Sequence, residues 1–287
     1  MRFVDSHMHL WHLSANKWYP ALDPPEGSDD FGLGEMAGLR RDYLPADYRA
    51  DVEGSGLSVG GVVHQSAVTA PGTSVAEARW LDEVAASDGL VRAVIGTVDP
   101  DPATVAGTVA AQASSPLFRG IRVLTGFAAS DAATAALLDA LDAGGHVFDA
   151  VIRPGEVDEW LPVLSARPGL PVVLANAGWP EGSSGEHRRE WAAGLAKLAR
   201  LDNVTCKISA LPMTLHTLDA AALRPWIDTC VSTFGVSRSF FGSNFPVDSL
   251  FGPFAALAEA YLSATQDLSD GERAALFATN AERCYRI

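Results

Sequence analysis

The sequence is poor in positive charge. Its 287 residues include 21 basic and 35 acidic side chains, so the net charge is −14, and the only lysines are Lys17, Lys197 and Lys207. This balance repels phosphate backbones and anionic membrane surfaces, so we expect a small-molecule substrate and neither a nucleic-acid nor a membrane partner. A basic-then-apolar leader and an apolar run of about 20 residues are both missing, which predicts a cytoplasmic protein.

Cysteine is also scarce. Cys206, Cys230 and Cys284 are odd in number and lack the close spacing of a zinc knuckle or a redox motif. We therefore expect small, buried or half-buried thiols in a reducing compartment. No Gly-x-Gly-x-x-Gly follows a predicted strand, which argues against a nucleotide-binding sheet.

What the sequence does have is apolar material for a large core. Hydrophobic residues make up 48% of the chain and charged residues 20%, which is typical of a folded protein without disordered tracts. The length suits one α/β barrel of about 250 residues, and we expect a single domain over 1–287. Its oligomeric state stays open, with a homodimer as one expectation.

Short Val- and Ile-rich runs alternate with Ala-rich amphipathic stretches along the chain. The predicted strands are Arg2–His7, Ser58–His64, Val91–Val98, Phe118–Val123, Val147–Ile152, Pro171–Leu174, Val204–Ile208 and Ser239–Gly242. The predicted helices are one near 45–54, then Ser74–Ser87, Pro102–Ala113, Asp131–Ala143, Val157–Ala166, Glu186–Arg200, Ala220–Phe234, Pro253–Ala264 and one over Leu268–Ile287. Eight such units predict a (β/α)8 TIM barrel, with a doubly wound open sheet as the alternative.

The segment from Leu13 to about Leu44 is long, irregular and rich in Pro, Gly and Asp. Loops of this length inside a compact domain are usually functional lids. Trp18 and Tyr19 are its candidate substrate-facing aromatics, although a structural clasp over the barrel fits the same residues.

The first predicted strand contains a His-x-His pair, His7 and His9. Side chains two apart point to the same face of a strand, so the two imidazoles can share a proton network, a substrate oxygen or a metal ion. Asp5 lies on that face one step deeper, where it could orient an imidazole. Polar residues without chemistry are the plain alternative.

In a barrel, catalytic groups come from the carboxyl ends of the strands. Several side chains there are basic, which suggests recognition of a carboxylate or an oxyanion. Arg122 can present a bidentate guanidinium or form a salt bridge inside the barrel, and Arg153, which precedes Pro154, is a second candidate for binding the substrate. Lys207 interrupts an apolar strand and is assigned to substrate electrostatics.

Two further strand-end groups could move protons. His64 closes the second strand, as either a structural group or a participant in the site. Asp248 follows the eighth strand, where it could act as a general base or cap the next helix. Asn176 and Asn244 close strands six and eight and complete the set of candidate substrate-binding residues.

Taken together, these segments resemble the amidohydrolase-2 family over essentially the whole chain, and most resemble its sugar-lactone and dicarboxylate-lactone hydrolase branch. The segments that carry the resemblance are Asp5-Ser6-His7-Met8-His9-Leu10-Trp11, Gly120-Ile121-Arg122, Asn176-Ala177-Gly178-Trp179-Pro180, Asn203-Val204-Thr205-Cys206-Lys207-Ile208-Ser209, Gly242-Ser243-Asn244-Phe245-Pro246-Val247-Asp248 and the closing Asn280-Ala281-Glu282-Arg283-Cys284-Tyr285-Arg286. The resemblance implies a TIM barrel in which water attacks a lactone carbonyl, while strand-one histidines and arginines polarise and hold the substrate.

The chain departs from the family pattern at two positions. The family usually places a histidine where this chain has Asn176, and many members place an aspartate where it has Asn244. An amide neither takes up a proton near neutral pH nor binds zinc as imidazole or carboxylate does. We therefore expect either no metal requirement or a weakly held divalent metal, zinc or manganese, bound by His7 and His9.

The leading hypothesis is a hydrolase of a small lactone or cyclic ester that carries a carboxylate or hydroxyls, in carbohydrate or aromatic acid metabolism. His7 and His9 would bind or polarise the carbonyl, Arg122 and Lys207 would hold negative charge, and Asp248 or His64 would activate water. The alternatives are a metal-dependent decarboxylase of the same family, and a repurposed barrel that performs a nonhydrolytic step or binds a metabolite.

Overall fold

The computed structural model describes residues 1–22, 36–67 and 69–287. Its eight strands are β1 Arg2–Met8, β2 Ser58–Gln65, β3 Val91–Gly96, β4 Phe118–Val123, β5 Val147–Ala150, β6 Val172–Leu174, β7 Val204–Ile208 and β8 Ser239–Phe241. They pair in parallel in chain order from β1 to β8. The predicted TIM barrel is therefore confirmed.

The barrel closes just beyond β8. Met8 and Phe245 form a parallel bridge, and the backbone N–H of Asn244 donates to the carbonyl oxygen of His7 at 2.6 Å. Gly242 permits this approach, because an added Cβ would lie 2.6 Å from the Cβ of His7. Closure thus brings the segment after β8 against the histidine strand.

The helices lie between the strands, as the amphipathic pattern predicts. They are α1 Pro45–Val52, α2 Ser74–Asp88, α3 Val105–Gln112, α4 Ala132–Gly144, α5 Val157–Ser165, α6 Gly185–Leu198, α7 Leu211–Leu215, α8 Ala220–Phe234, α9 Phe254–Ala264, α10 Asp270–Ala274 and α11 Asn280–Tyr285. The single closing helix expected over 268–287 is instead α10 and α11 joined by a π-helical turn, Ala275–Thr279. None of the described helices is long and apolar enough to span a membrane.

Two apolar clusters hold the barrel together. One lies between the strands and the surrounding helices, and the smaller one fills the barrel interior with side chains such as Val4, Val63 and Phe240. Tyr285 of α11 joins the interior cluster and packs edge-on against Phe240. The carboxyl-terminal helix therefore covers one end of the barrel and leaves the other end for the site.

The long connection after β1 is tied at both of its ends. Trp11 and Tyr43 form an antiparallel bridge, with both backbone N–H groups donating across it at 3.0 and 2.9 Å. A short 3-10 turn, Ala37–Leu39, lies near a second one, Val247–Leu250, which follows β8. Of the proposed lid, residues 23–35 lie outside the described part of the chain.

Candidate active site

His7 is fully buried, and both of its ring nitrogens have partners. Nε2 lies 3.2 Å from Nη1 of Arg122, and Nδ1 lies 2.7 Å from the Ser209 hydroxyl. A guanidinium can only donate, so Nε2 accepts and the proton resides on Nδ1. Burial, followed by the positive charge of Lys207, holds the pKa of His7 well below its usual range. His7 is therefore a neutral acceptor that positions Arg122.

His9 faces a pocket at the carboxyl ends of the strands. Its Nδ1 lies 2.8 Å from the carbonyl oxygen of Gln65, which can only accept, so Nδ1 carries the proton. Burial and the charge of Arg122 keep the pKa of His9 well below its usual range. Nε2 lies 3.3 Å from Oδ1 of Asn244, another acceptor, and so keeps a lone pair available to a proton donor in the pocket.

The pocket has a volume of about 190 Å³ and a cationic lining. Arg122 and Arg153 both line it, whereas no Asp or Glu among the described residues does. Arg153 stacks over the indole of Trp179 at 4.9 Å and lies 3.7 Å from a Glu156 oxygen. In a chain of net charge −14, this is a local positive field suited to an anion.

Asn176 and Asn244 also line the pocket, and both have left-handed backbone conformations, with φ of 53° and 57°. Asparagine adopts this conformation more readily than most residues. The Oδ1 atom of Asn176 is buried without a hydrogen-bond partner among the described residues. It is therefore an acceptor that a substrate hydroxyl or amide could satisfy.

Asp248 lies behind Asn244 and is not among the residues that line the pocket. Its Oδ1 accepts a hydrogen bond from Nδ2 of Asn244 at 2.9 Å, while its Oδ2 has no partner among the described residues. Burial raises the pKa of Asp248 well above its ordinary range. It does not cap α9, and the proposed base role would have to act through Asn244.

His64 is similarly set back from the pocket. Its Nε2 lies 3.2 Å from the carbonyl oxygen of Leu10, and its ring centroid is 6.4 Å from that of His9. Burial lowers the pKa of His64 to about 4, so it is neutral. The structure places it behind His9, where direct water activation is not available to it.

Lys207 is placed differently from its sequence assignment. Its Nζ forms a fully buried ion pair with Oδ2 of Asp149 at 2.6 Å, and the Tyr285 hydroxyl donates to the same oxygen at 3.0 Å. Lys207 does not line the pocket. The structure thus gives its charge a partner inside the barrel, and substrate binding by Lys207 stays without geometric support.

Of the two loop aromatics, Tyr19 lines the pocket and Trp18 does not. Trp18 is half-buried and packs against Trp80, with ring centroids 6.5 Å apart. The Tyr19 hydroxyl donates to Glu77 of α2 at 3.0 Å. Trp18 therefore fits the structural-clasp alternative.

Sequence reasoning missed Glu77, a buried carboxyl that anchors Tyr19. The Ser66 hydroxyl contacts both Glu77 and the carbonyl oxygen of Ala67, and one hydroxyl proton cannot serve both acceptors. A protonated Glu77 satisfies all three groups. Burial accordingly raises the pKa of Glu77 to about 7. Only its lone acidic position on a buried helix face, Ser74-Val75-Ala76-Glu77-Ala78, could have signalled this role.

Asp5 is a backbone anchor and does not orient an imidazole as its position suggested. Oδ1 accepts from the backbone N–H groups of His7 and Ser243 at 3.2 and 2.8 Å, and Oδ2 accepts from the Tyr48 hydroxyl at 2.7 Å. It thereby ties β1 to the segment after β8.

The donor set around the two histidines does not fit a divalent metal. The His7 lone pair is engaged by a cation, Arg122, and the described residues contain no group of three or more His, Cys, Asp or Glu side chains arranged to hold an ion. A zinc site normally offers at least three strong ligands.

Histidines and arginines at the carboxyl end of a parallel barrel form an enzyme-type site. The amidohydrolase family model matches residues 4–287, so the chain belongs to that family and is a hydrolase of it.

Three similar proteins differ in the reactions or ligands that their names give. The chain is 30% identical to an L-fucono-1,5-lactonase of Burkholderia ambifaria, over 99% of this chain and 95% of that protein. An amidohydrolase from Burkholderia multivorans, solved with bound zinc, is 28% identical with a TM-score of 0.83 and full coverage of both chains. A 5-carboxyvanillate decarboxylase from Sphingomonas paucimobilis shares the fold, with a TM-score of 0.67 at 16% identity over 100% of this chain and 99% of that one.

Proposed function

We propose that this protein hydrolyses a small lactone or related cyclic ester that carries a carboxylate or hydroxyls. The observation that carries the proposal is a neutral His9, with its Nε2 lone pair towards the pocket, beside the guanidinium of Arg122. A general base and a cationic oxyanion partner are the two groups that ester hydrolysis needs. The lactonase relative at 30% identity supports the same class.

In the proposed reaction, water attacks the ester carbonyl and gives its proton to Nε2 of His9. Negative charge develops on the carbonyl oxygen beside Arg122. That charge offsets the guanidinium, whose field otherwise disfavours a protonated His9, so the two events support one another. The proton then passes to the departing ring oxygen, which leaves an open-chain hydroxy acid.

The test is acid release from a panel of lactones, followed with a pH indicator. We expect His9→Gln to lower kcat/KM by at least about 100-fold, because the base is lost. His146→Gln is the matched control, since that half-buried histidine precedes β5 at the opposite end of the barrel. Each assay is run with and without chelator, and equal rates are expected.

Inactivity of the wild type across the panel would refute the proposal. Lactone hydrolysis that disappears with chelator and returns with zinc would instead favour a metal-dependent hydrolysis, whereas carbon dioxide release from an aromatic acid would favour the decarboxylase alternative.

A further inference from the structure

The pocket has walls of contrasting chemistry. Its floor, at the strand ends, is polar and includes His9, Arg122, Asn176 and Asn244. Among the described residues, the surrounding loops supply mainly apolar side chains, namely Trp11, Leu22, Met36, Leu39, Trp179 and Met213, together with the hydroxyl of Thr125. A bound molecule would therefore meet hydrogen-bonding groups on one side and hydrocarbon on the other.

Hydroxyls placed against these apolar side chains would lose their water and would find few partners among the described residues. An unpaired buried polar group costs about as much as a hydrogen bond to water is worth, so each such hydroxyl weakens binding. Tyr19 also lines the pocket, but its phenol hydroxyl already donates a hydrogen bond to Glu77. A polyhydroxylated ring is thus a poor match for this wall.

The second cation of the pocket is fixed in place. Arg153 stands at the end of the loop after β5, stacked over Trp179 at 4.9 Å, with 31% of its side chain exposed. Arg122 is committed to His7 and to the reacting carbonyl. Arg153 lies 3.7 Å from an oxygen of Glu156, but 42% of that side chain is exposed, so the ion pair is weak and the guanidinium can still take up a second negative group. A guanidinium supported by an aromatic face is well suited to a carboxylate.

We infer that the substrate is a compact lactone with an apolar body and a single carboxylate, which Arg153 binds, and that it is not a polyhydroxylated sugar lactone. This inference rests on the proposed lactone hydrolysis and selects among its substrates. The volume agrees, because about 190 Å³ holds one six-membered ring with a short substituent, whereas a cavity of about 150 Å³ accepts benzene.

The kinetic test compares three δ-lactones. The first is a δ-valerolactone that carries one ethyl group and one carboxylate, the second is the methyl ester of that carboxylate, and the third is a hexono-1,5-lactone. We expect kcat/KM for the carboxylate to exceed that for the sugar lactone by about 100-fold, the equivalent of one or two unpaired hydroxyls. Arg153→Gln should narrow the preference for the carboxylate over its ester by about 10-fold or more. Arg188→Gln is the matched control, because Arg188 stacks over Trp226 at 5.5 Å on the surface.

A binding measurement separates this inference from the reaction itself. Isothermal titration with cyclohexanecarboxylate and with gluconate compares two monoanions that differ in their bodies, and we expect the cyclic apolar anion to bind at least about 10-fold more tightly. Tighter binding of gluconate, binding of neither, or faster hydrolysis of the sugar lactone would overturn the substrate class. If no lactone is hydrolysed, the proposed reaction fails, while the titration still decides the ligand.

Discussion

The mouth and the interior of the barrel each contain a buried cation on a strand, but the two are neutralised very differently. Lys207 of β7 meets Asp149 at 2.6 Å and a tyrosine hydroxyl within the closed interior. Arg122 of β4 meets only a neutral imidazole, His7, among the described side chains, and it lines the pocket. A strand-end position therefore does not by itself make a cation available to substrate. What decides it is which cation lies within ion-pair distance of the carboxylate: Asp149 is the register partner of Arg122 on the adjacent strand, yet it forms its ion pair with Lys207 of β7.

We expect the largest effect from breaking the interior ion pair of Lys207 and Asp149, and we expect it in the stability of the protein. Lys207→Ala leaves Asp149 as a buried, uncompensated charge, and we expect unfolding free energy to fall by about 3–5 kcal/mol. The double variant Lys207→Met with Asp149→Leu should recover most of that loss, since no charge is then left buried. Urea unfolding of the three proteins measures both values. A single variant as stable as wild type would show that the pair is not buried as described.

A substitution at the mouth of the barrel should lower the activity of the enzyme and change its stability less than the interior substitution does. Arg122→Gln removes the oxyanion partner, and we expect kcat on a hydrolysed lactone to fall by about 100- to 1,000-fold. The midpoint of urea unfolding should change less than in Lys207→Ala, because Arg122 feels the fields of Asp149 and Glu77 but forms no ion pair with either. Initial rates and unfolding curves from the same preparation provide the check. Comparable losses in both would make Arg122 a structural cation like Lys207.

Glu77 is a buried carboxyl next to the mouth, where it accepts a hydrogen bond from Tyr19. Its pKa of about 7 lies above the ordinary value of 4.5, so the folded protein binds the proton more tightly than the unfolded chain does. Its contribution to stability is fully present below pH 4.5 and is lost as the pH rises towards 7, by up to about 3 kcal/mol. In Glu77→Gln this loss should be absent, so the change in unfolding free energy between pH 5 and pH 8 should shrink. An unchanged pH dependence would place the titration elsewhere, for example at Asp5, whose pKa burial raises to about 6.

Much of the molecule could be predicted from the sequence by itself, because the strand and helix patterns are local. The eight apolar runs and the helices between them determine the barrel, and the His-x-His spacing determines that His7 and His9 share one face. His9, Arg122 and Asn176 lie at or just beyond the ends of their strands, where parallel strands bring their carboxyl ends to one side of the barrel.

Only the tertiary structure decided which of those polar groups face a ligand. Lys207 and Arg122 look alike in sequence, and their difference depends on Asp149, which is 58 residues from Lys207 along the chain. The sequence likewise did not show that Asp248 lies behind Asn244, that His64 lies behind His9 or that Tyr19 donates to Glu77. The burial of a group and its charge partners arise from contacts between distant segments. Electrostatic partners are set by distance in space, and a single sequence carries no direct record of that distance.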